Sequence, residues 1–281
     1  ISAFCNAGFD LMGILEPSSS LTAFVDDPLV VLTIASLIIV GGIGFVVWSD
    51  LVECGFFRPE KFKLHTLTAL MATIILIVTG TAAFLFLERD GELAGMDAGT
   101  RVLAAFFQSV TPRTAGFNTL NTAGLSDGGK LATMVLMFVG AAPGGTGGGV
   151  KVTTLAVIAA AVFSSLRNRE DVSIWHFRLD TETLRRSFCG ITTYTGLALG
   201  GMLILCAQNL PFTDAAFECL SAIGTVGLST GITTALPPLS RVAIILLMYA
   251  GRVGSLTVFL AVVNANGGAK LRNPIGKIIV G

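Results

Sequence analysis

Three short segments of this 281-residue chain carry the residues most able to do chemistry. They are Ser2-Ala3-Phe4-Cys5-Asn6-Ala7-Gly8-Phe9, Ser109-Val110-Thr111-Pro112-Arg113-Thr114-Ala115-Gly116-Phe117 and Ser221-Ala222-Ile223-Gly224-Thr225-Val226-Gly227-Leu228. Gly8 and Gly116 lie 108 residues apart, Gly116 and Gly227 lie 111 apart, and a fixed period marks a duplicated unit. The chemistry offered is that of the backbone. Glycine can turn its carbonyl toward an axis with no side chain in the way, and a ring of carbonyls can replace the hydration shell of a cation. The candidate ion-binding residues are Asn6, Ala7 and Gly8, then Thr114, Ala115 and Gly116, then Thr225, Val226 and Gly227. Tight helix contacts at glycine would explain one such copy. Three copies at one period, each after a short apolar stretch, point to pore loops.

A second constellation interrupts the long apolar run 131–166. Residues 142–149 read Ala-Pro-Gly-Gly-Thr-Gly-Gly-Gly, and six of those eight are Pro or Gly, which an ordinary helix does not tolerate. The segment is not a phosphate-binding loop, because Gly149-Val150-Lys151-Val152 breaks the required Gly-Lys-[Ser/Thr] order and no strand precedes it. A mobile loop obstructing a pore fits better, with Pro143, Gly144, Gly145, Thr146, Gly147, Gly148, Gly149 and Lys151 as gate residues. Arg252 joins them. A charge inside a spanning run faces protein or water, so Arg252 is either a pore-lining barrier to cations that can meet the loop carbonyls, or a staple between helices. Arg113, beside a motif glycine, is expected to be a scaffold residue paired with a carboxylate such as Glu218. His65 and His176 stand alone, the five cysteines form no C-x-x-C pair, and no nucleophile–base pair or metal set points to an enzyme.

The elements that must position these groups are membrane elements. The chain is 53% apolar and 13% charged, with mean hydropathy +0.79; soluble domains carry about 25% charge. Its net charge is zero, which suggests no nucleic-acid partner. Runs 29–48, 64–87, 188–209 and 242–263 have the length that spans a bilayer. The apolar pieces near 98–110 and 213–223 are too short to span and suit half-helices that enter and return, with Asp97 and the pair Thr213-Asp214 as N-caps. The predicted fold is all-α and membrane-integral, built of repeated helix–pore loop–helix units. Residues 1–63 hold the end of one repeat, 64–187 a second repeat with a broken exit helix and a charged loop, and 188–281 a third repeat and the C-terminus. Because the chain opens inside a repeat, it reads as part of a longer subunit.

Charge gives an orientation. Segments 50–63, 167–187 and 265–281 hold eleven Lys/Arg, whereas the opposite side holds Arg89, Arg101, Lys130 and Arg241. The positive-inside rule puts the first set, and the C-terminus, in the cytoplasm of a cell-membrane protein. Asp10, Glu16, Asp26, Asp27, Glu88, Asp90, Glu92, Asp97 and Asp127 then lie outside, either as a cation-concentrating vestibule or as ordinary solvated loop charges.

Thr225-Val226-Gly227-Leu228 nearly spells the Thr-Val-Gly-Tyr-Gly filter of potassium channels. Together with 2–10, 109–119, 142–154 and Gly251-Arg252-Val253-Gly254-Ser255-Leu256-Thr257, it resembles the potassium transporter superfamily that includes the KtrB, TrkH and plant HKT proteins; the ending 276–281 is most similar to that of KtrB subunits. The resemblance implies one pore made of four non-identical repeats, of which this chain holds the end of the second and the third and fourth. It implies that K⁺ is coordinated at Gly8, Gly116 and Gly227 and gated at 142–154 and Arg252. A homodimer in the lipid bilayer and a cytoplasmic nucleotide-binding ring, KtrA- or TrkA-like, are implied in the same way. The rival readings are a non-conducting assembly module and a solute carrier with discontinuous helices.

Overall fold

The computed structural model describes residues 1–14, 19–55, 58–169 and 171–254. The expected cytoplasmic tail 265–281, the second half of the last exit helix and Glu16 lie outside the described residues.

Nine α-helices carry the described residues: α1 (Pro28–Gly42), α2 (Phe45–Cys54), α3 (Leu64–Leu87), α4 (Ala98–Val110), α5 (Asp127–Phe138), α6 (Val152–Leu166), α7 (Thr181–Cys206), α8 (Phe212–Gly224) and α9 (Pro238–Val253). A two-stranded hairpin, β1 (Ser173–Ile174) and β2 (Phe177–Arg178), joins α6 to α7. Helices α3 and α7 are long and apolar enough to cross a bilayer.

Capping explains where several helices begin. The Asp27 carboxylate accepts from the Leu29 and Val30 amides, and Pro28 takes the first position of α1. Asp97 accepts from Gly99 and Thr100, as its sequence position predicts, and the Thr100 hydroxyl holds its carboxyl below the usual carboxylate range. Ser126 caps α5 through the Gly129 amide. The expected Thr213-Asp214 cap is not used: α8 starts a residue earlier behind Pro211, and Asp214 falls in its first turn.

Two more expectations need correction. The run 29–48 is not one helix. It breaks at Ile43-Gly44 into α1 and α2, which meet at 91°. Gly44 sits at φ +92°, and a methyl on it would lie 2.5 Å from the Pro143 carbonyl oxygen, a conformation and a closeness that a side chain would forbid. The run 188–209 begins earlier, at Thr181.

The core joins helices distant in sequence and also neighbouring ones. Val31, Ala35 and Ile38 of α1 pack with Phe107 and Val110 of α4. Tyr194 and Leu205 of α7 pack with Ile223 of α8 and Leu247 of α9, and Tyr194 meets Phe138 edge-on at 5.2 Å. Small residues let backbones approach, as expected for membrane helices: Gly80 of α3 lies against Ser109 of α4, whose hydroxyl donates to the Ile77 carbonyl at 2.9 Å. The outward faces of α7 and α9 expose Leu199, Leu203, Val242, Ile245, Leu246 and Tyr249. That is the pattern of helices solvated by lipid or by further chain.

Candidate functional site

The three motif segments, far apart in sequence, stand side by side. Each follows the C-terminal end of a short helix or turn, and each bends the same way. Asn6, Thr114 and Thr225 have φ of +48°, +74° and +53°, and the glycines two residues on have +71°, +83° and +91°. Alternating a left-handed residue with one of negative φ turns successive carbonyls toward one side; a pleated strand would point them to opposite sides. A methyl on Gly8 would lie 2.7 Å from the Ala115 carbonyl oxygen, and one on Gly116 would overlap the Val226 carbonyl oxygen. The Asn6 side chain meets the Thr114 hydroxyl at 3.3 Å, and its amide nitrogen can be turned to the Ala3 and Ile38 carbonyls at 3.0 and 3.3 Å.

Hydrogen bonding divides each segment into an anchored side and a free side. The amides of Asn6, Ala7, Ala115, Gly116, Thr225 and Val226 all donate backward, to Ala3, Ser2, Thr111, Thr111, Ala222 and Ser221. The Thr111 and Ser221 hydroxyls donate forward across their loops to the Phe117 and Leu228 carbonyls, both at 2.5 Å. The side chains of Ala115 and Phe117 are buried in the α1–α4 core, and those of Val226 and Leu228 against Met134, Met137 and Phe217. Among the described residues, no group of the protein donates to the carbonyls of residues 6–8, 114–116 or 225–227. A carbonyl without a protein donor is costly where it is shut away from water, unless an ion meets it; Asn6, Thr114, Ala115 and Val226 are buried, whereas Ala7 and Gly227 are exposed in the described chain.

The chain from Val139 to Lys151 lies against these segments. A methyl on Gly147 would overlap the Thr114 hydroxyl, and one on Gly148 the Thr225 hydroxyl. The neck closes where the Gly140 amide donates to the Val150 carbonyl at 2.8 Å. The body of the loop is fastened outward. Phe45 donates to the Gly144 carbonyl at 3.1 Å and Ala142 to the Gly42 carbonyl at 3.0 Å. Thr146 uses all its polar groups: its amide reaches Gly41, its hydroxyl is shared by Phe4 and Gly41, and its carbonyl accepts from the Arg252 guanidinium at 2.7 Å. The Lys151 ammonium donates to the Gly147 carbonyl at 2.7 Å. Two cations thus hold neighbouring carbonyls of one loop.

Arg113 and Glu218 do not pair. Arg113 is buried and donates to Thr73 of α3 at 3.2 Å. Glu218, buried on α8, accepts from the Ser229 hydroxyl and from the Thr233 hydroxyl at 2.9 Å, and so ties the chain after the third motif back to its own helix. That role, and those of Thr111 and Ser221, escape the sequence reading. The available signal was a carboxylate and a hydroxyl three residues apart in a short apolar helix. On the expected outer side several acids are structural: Asp27 and Asp97 are caps, Glu88 is fully buried and accepts from the Ser126 amide and hydroxyl at 2.9 and 2.6 Å, and Glu92 accepts from Asn121.

The helical bundle and its three non-helical returns define a pore-loop membrane protein. Comparison with known proteins narrows the class. The family model described as TrkH, cation transport protein, matches residues 1–268. The potassium/sodium uptake protein NtpJ of Enterococcus hirae is 36% identical over 273 residues, 95% of this chain and 59% of its own. The Ktr system potassium uptake protein B of Bacillus subtilis is 34% identical over 284 residues, 100% of this chain and 62% of its own. The crystal structure of the potassium transporter TrkH from Vibrio parahaemolyticus superposes with a TM-score of 0.75 at 17% identity, over 94% of this chain and 56% of that one; it bears on the fold. The chain belongs to the TrkH family of cation transport proteins, and it spans less than two thirds of the length of these relatives.

Proposed function

We propose that the chain supplies three of the four walls of a cation filter, and that K⁺ moves passively through it under the control of the 142–151 loop. The observation that carries this reading is the set of nine carbonyls at 6–8, 114–116 and 225–227: six of the nine residues anchor their amides behind the segments, and among the described residues no protein group donates to the carbonyls. The C-terminal ends of α4 and α8, partly negative, lead into the segments and favour a cation there. Repeats of the kind named in the sequence, a fourth wall from the additional length of the relatives, a homodimer and a cytoplasmic nucleotide-binding ring complete the proposal. The names of two relatives, a potassium/sodium and a potassium uptake protein, support K⁺ or Na⁺ as cargo. The test is uptake of K⁺ and Na⁺ by the full-length subunit in a transport-deficient cell. Saturable K⁺ uptake is expected; expression at the membrane with no flux of either ion would leave an assembly module.

Arg252 tests the gate. Its guanidinium holds the Thr146 carbonyl, and at 6 Å from a passing cation with effective dielectric about 20 its repulsion is roughly 3 kcal/mol. Arg252→Ala should raise flux, or make it less dependent on a cytoplasmic partner. A helix staple would behave oppositely, with a lower melting temperature and reduced flux. Paired flux and melting measurements on the full-length protein separate the two.

A further inference from the structure

A concavity with both an apolar wall and a charged end runs along α6. It encloses about 450 Å³. One stripe of α6, from Val152 through Ala156, Ala159 and Ala160 to Phe163, forms its length, and Ala72, Ile75 and Leu76 of α3 form its wall. The stripe is mostly small side chains, which leaves a groove where larger ones would pack shut. Its end is Arg167, Arg169 and the start of β1.

That end is a built structure. Asn168 takes φ +48°, the Asn168 amide donates to the Ser165 carbonyl, and the Arg169 amide to the Ser164 carbonyl. This is a Schellman closure of the helix. The Ser164 hydroxyl adds a 2.7 Å bond to the Asp171 carbonyl. The two arginines therefore flank a fixed turn. Among the described residues neither has an ion-pair partner; the neighbouring carboxylate of Asp171 is engaged by Arg178 at 3.0 Å.

We propose that the groove is a binding site for one anionic phospholipid, with an acyl chain along the α6 stripe and the phosphate on Arg167 and Arg169. The fifteen residues of α6 extend about 22 Å, enough for a chain that crosses one leaflet, about 15 Å. The apolar wall and the two arginines at its end match the two halves of such a lipid. Because α6 begins where the gate loop ends, the lipid would brace the loop's downstream anchor against α3. The inference rests on the membrane fold and is independent of which ion is carried.

The experiment is lipid retention by the full-length subunit, purified in detergent, delipidated, and exposed to vesicles of phosphatidylglycerol or of phosphatidylcholine. Native mass spectrometry counts the lipid that survives washing. The intact protein should retain phosphatidylglycerol over phosphatidylcholine by about tenfold or more, since each near-surface cation favours an anionic lipid appreciably. Arg167→Gln with Arg169→Gln should remove that preference, and Ala159→Trp, at an exposed groove position, should displace the lipid by filling its place. Arg58→Gln with Lys61→Gln, on the same membrane face, should leave retention intact. Undiminished retention in the Arg167/Arg169 double variant overturns the proposal. So does an equal loss in the Arg58/Lys61 control, which would mean diffuse surface attraction. A photo-crosslinker at position 160 that captures a second copy of the chain in place of lipid also overturns it.

Discussion

Gly116→Ala in the full-length subunit is expected to abolish K⁺ uptake, with Gly8→Ala close behind and Gly227→Ala milder. All three glycines have positive φ, where a side chain costs about 1–3 kcal/mol. The surroundings then rank them. A methyl on Gly116 overlaps the Val226 carbonyl oxygen, one on Gly8 lies 2.7 Å from the Ala115 carbonyl oxygen, and one on Gly227 meets nothing nearer than the Gly116 Cα at 3.9 Å. An added barrier of about 3 kcal/mol lowers a rate about a hundredfold, which is the loss expected for Gly116→Ala. At Gly227 a larger residue, Gly227→Ser, should blunt K⁺ over Na⁺ discrimination before it stops flux. Uptake assays in transport-deficient cells, with surface expression measured alongside, check the order. Wild-type flux and discrimination in Gly116→Ala would take this segment out of the ion path.

Deleting 143–149 should have the second largest effect, in the opposite direction. The loop lies against the Thr114 and Thr225 hydroxyls at the foot of two motif segments, and its neck is already closed by the Gly140–Val150 bond. Removing the body should raise flux about tenfold or more and abolish its dependence on a regulator; passage through the motif segments, which the deletion leaves in place, keeps the gain below the full bias of the fastening bonds. Thr146→Val, which deletes only the hydroxyl shared by Phe4 and Gly41, should move flux the same way by less. Flux at or below that of the intact protein, with normal expression and melting, would count against a gate.

What the sequence made legible follows from where the information sits. α3 matches the run 64–87 residue for residue, because a long apolar stretch between polar flanks allows one solution. α4 matches 98–110 because Asp97 marks its start. The motif segments were legible through their period. The bend at Gly44 was not, because apolarity continues through it and its cause, the contact with Pro143 and Gly144, is a hundred residues away. The partner of Arg113 differs from the expected one for a similar reason. Charge suggested a carboxylate, but Glu218 is satisfied by hydroxyls on its own loop, and the face of α3 that carries Thr73 cannot be read from composition. The loop's position was legible in its glycines; its fastenings were not, because backbone donors such as Phe45 leave no mark on sequence.

Those fastenings set an equilibrium. The bond from Phe45 to Gly144, the two from the Thr146 amide and hydroxyl, and the one from Arg252 must all open for the body of the loop to swing aside. At about 1 kcal/mol net apiece they bias the obstructed form by about 4 kcal/mol, close to a thousandfold. On the gating reading, an unregulated subunit would then leak during roughly one part in a thousand of its time. A cytoplasmic partner that opens it must grip the open form more tightly than the closed form by at least the same factor, because a partner that bound both forms equally would change nothing.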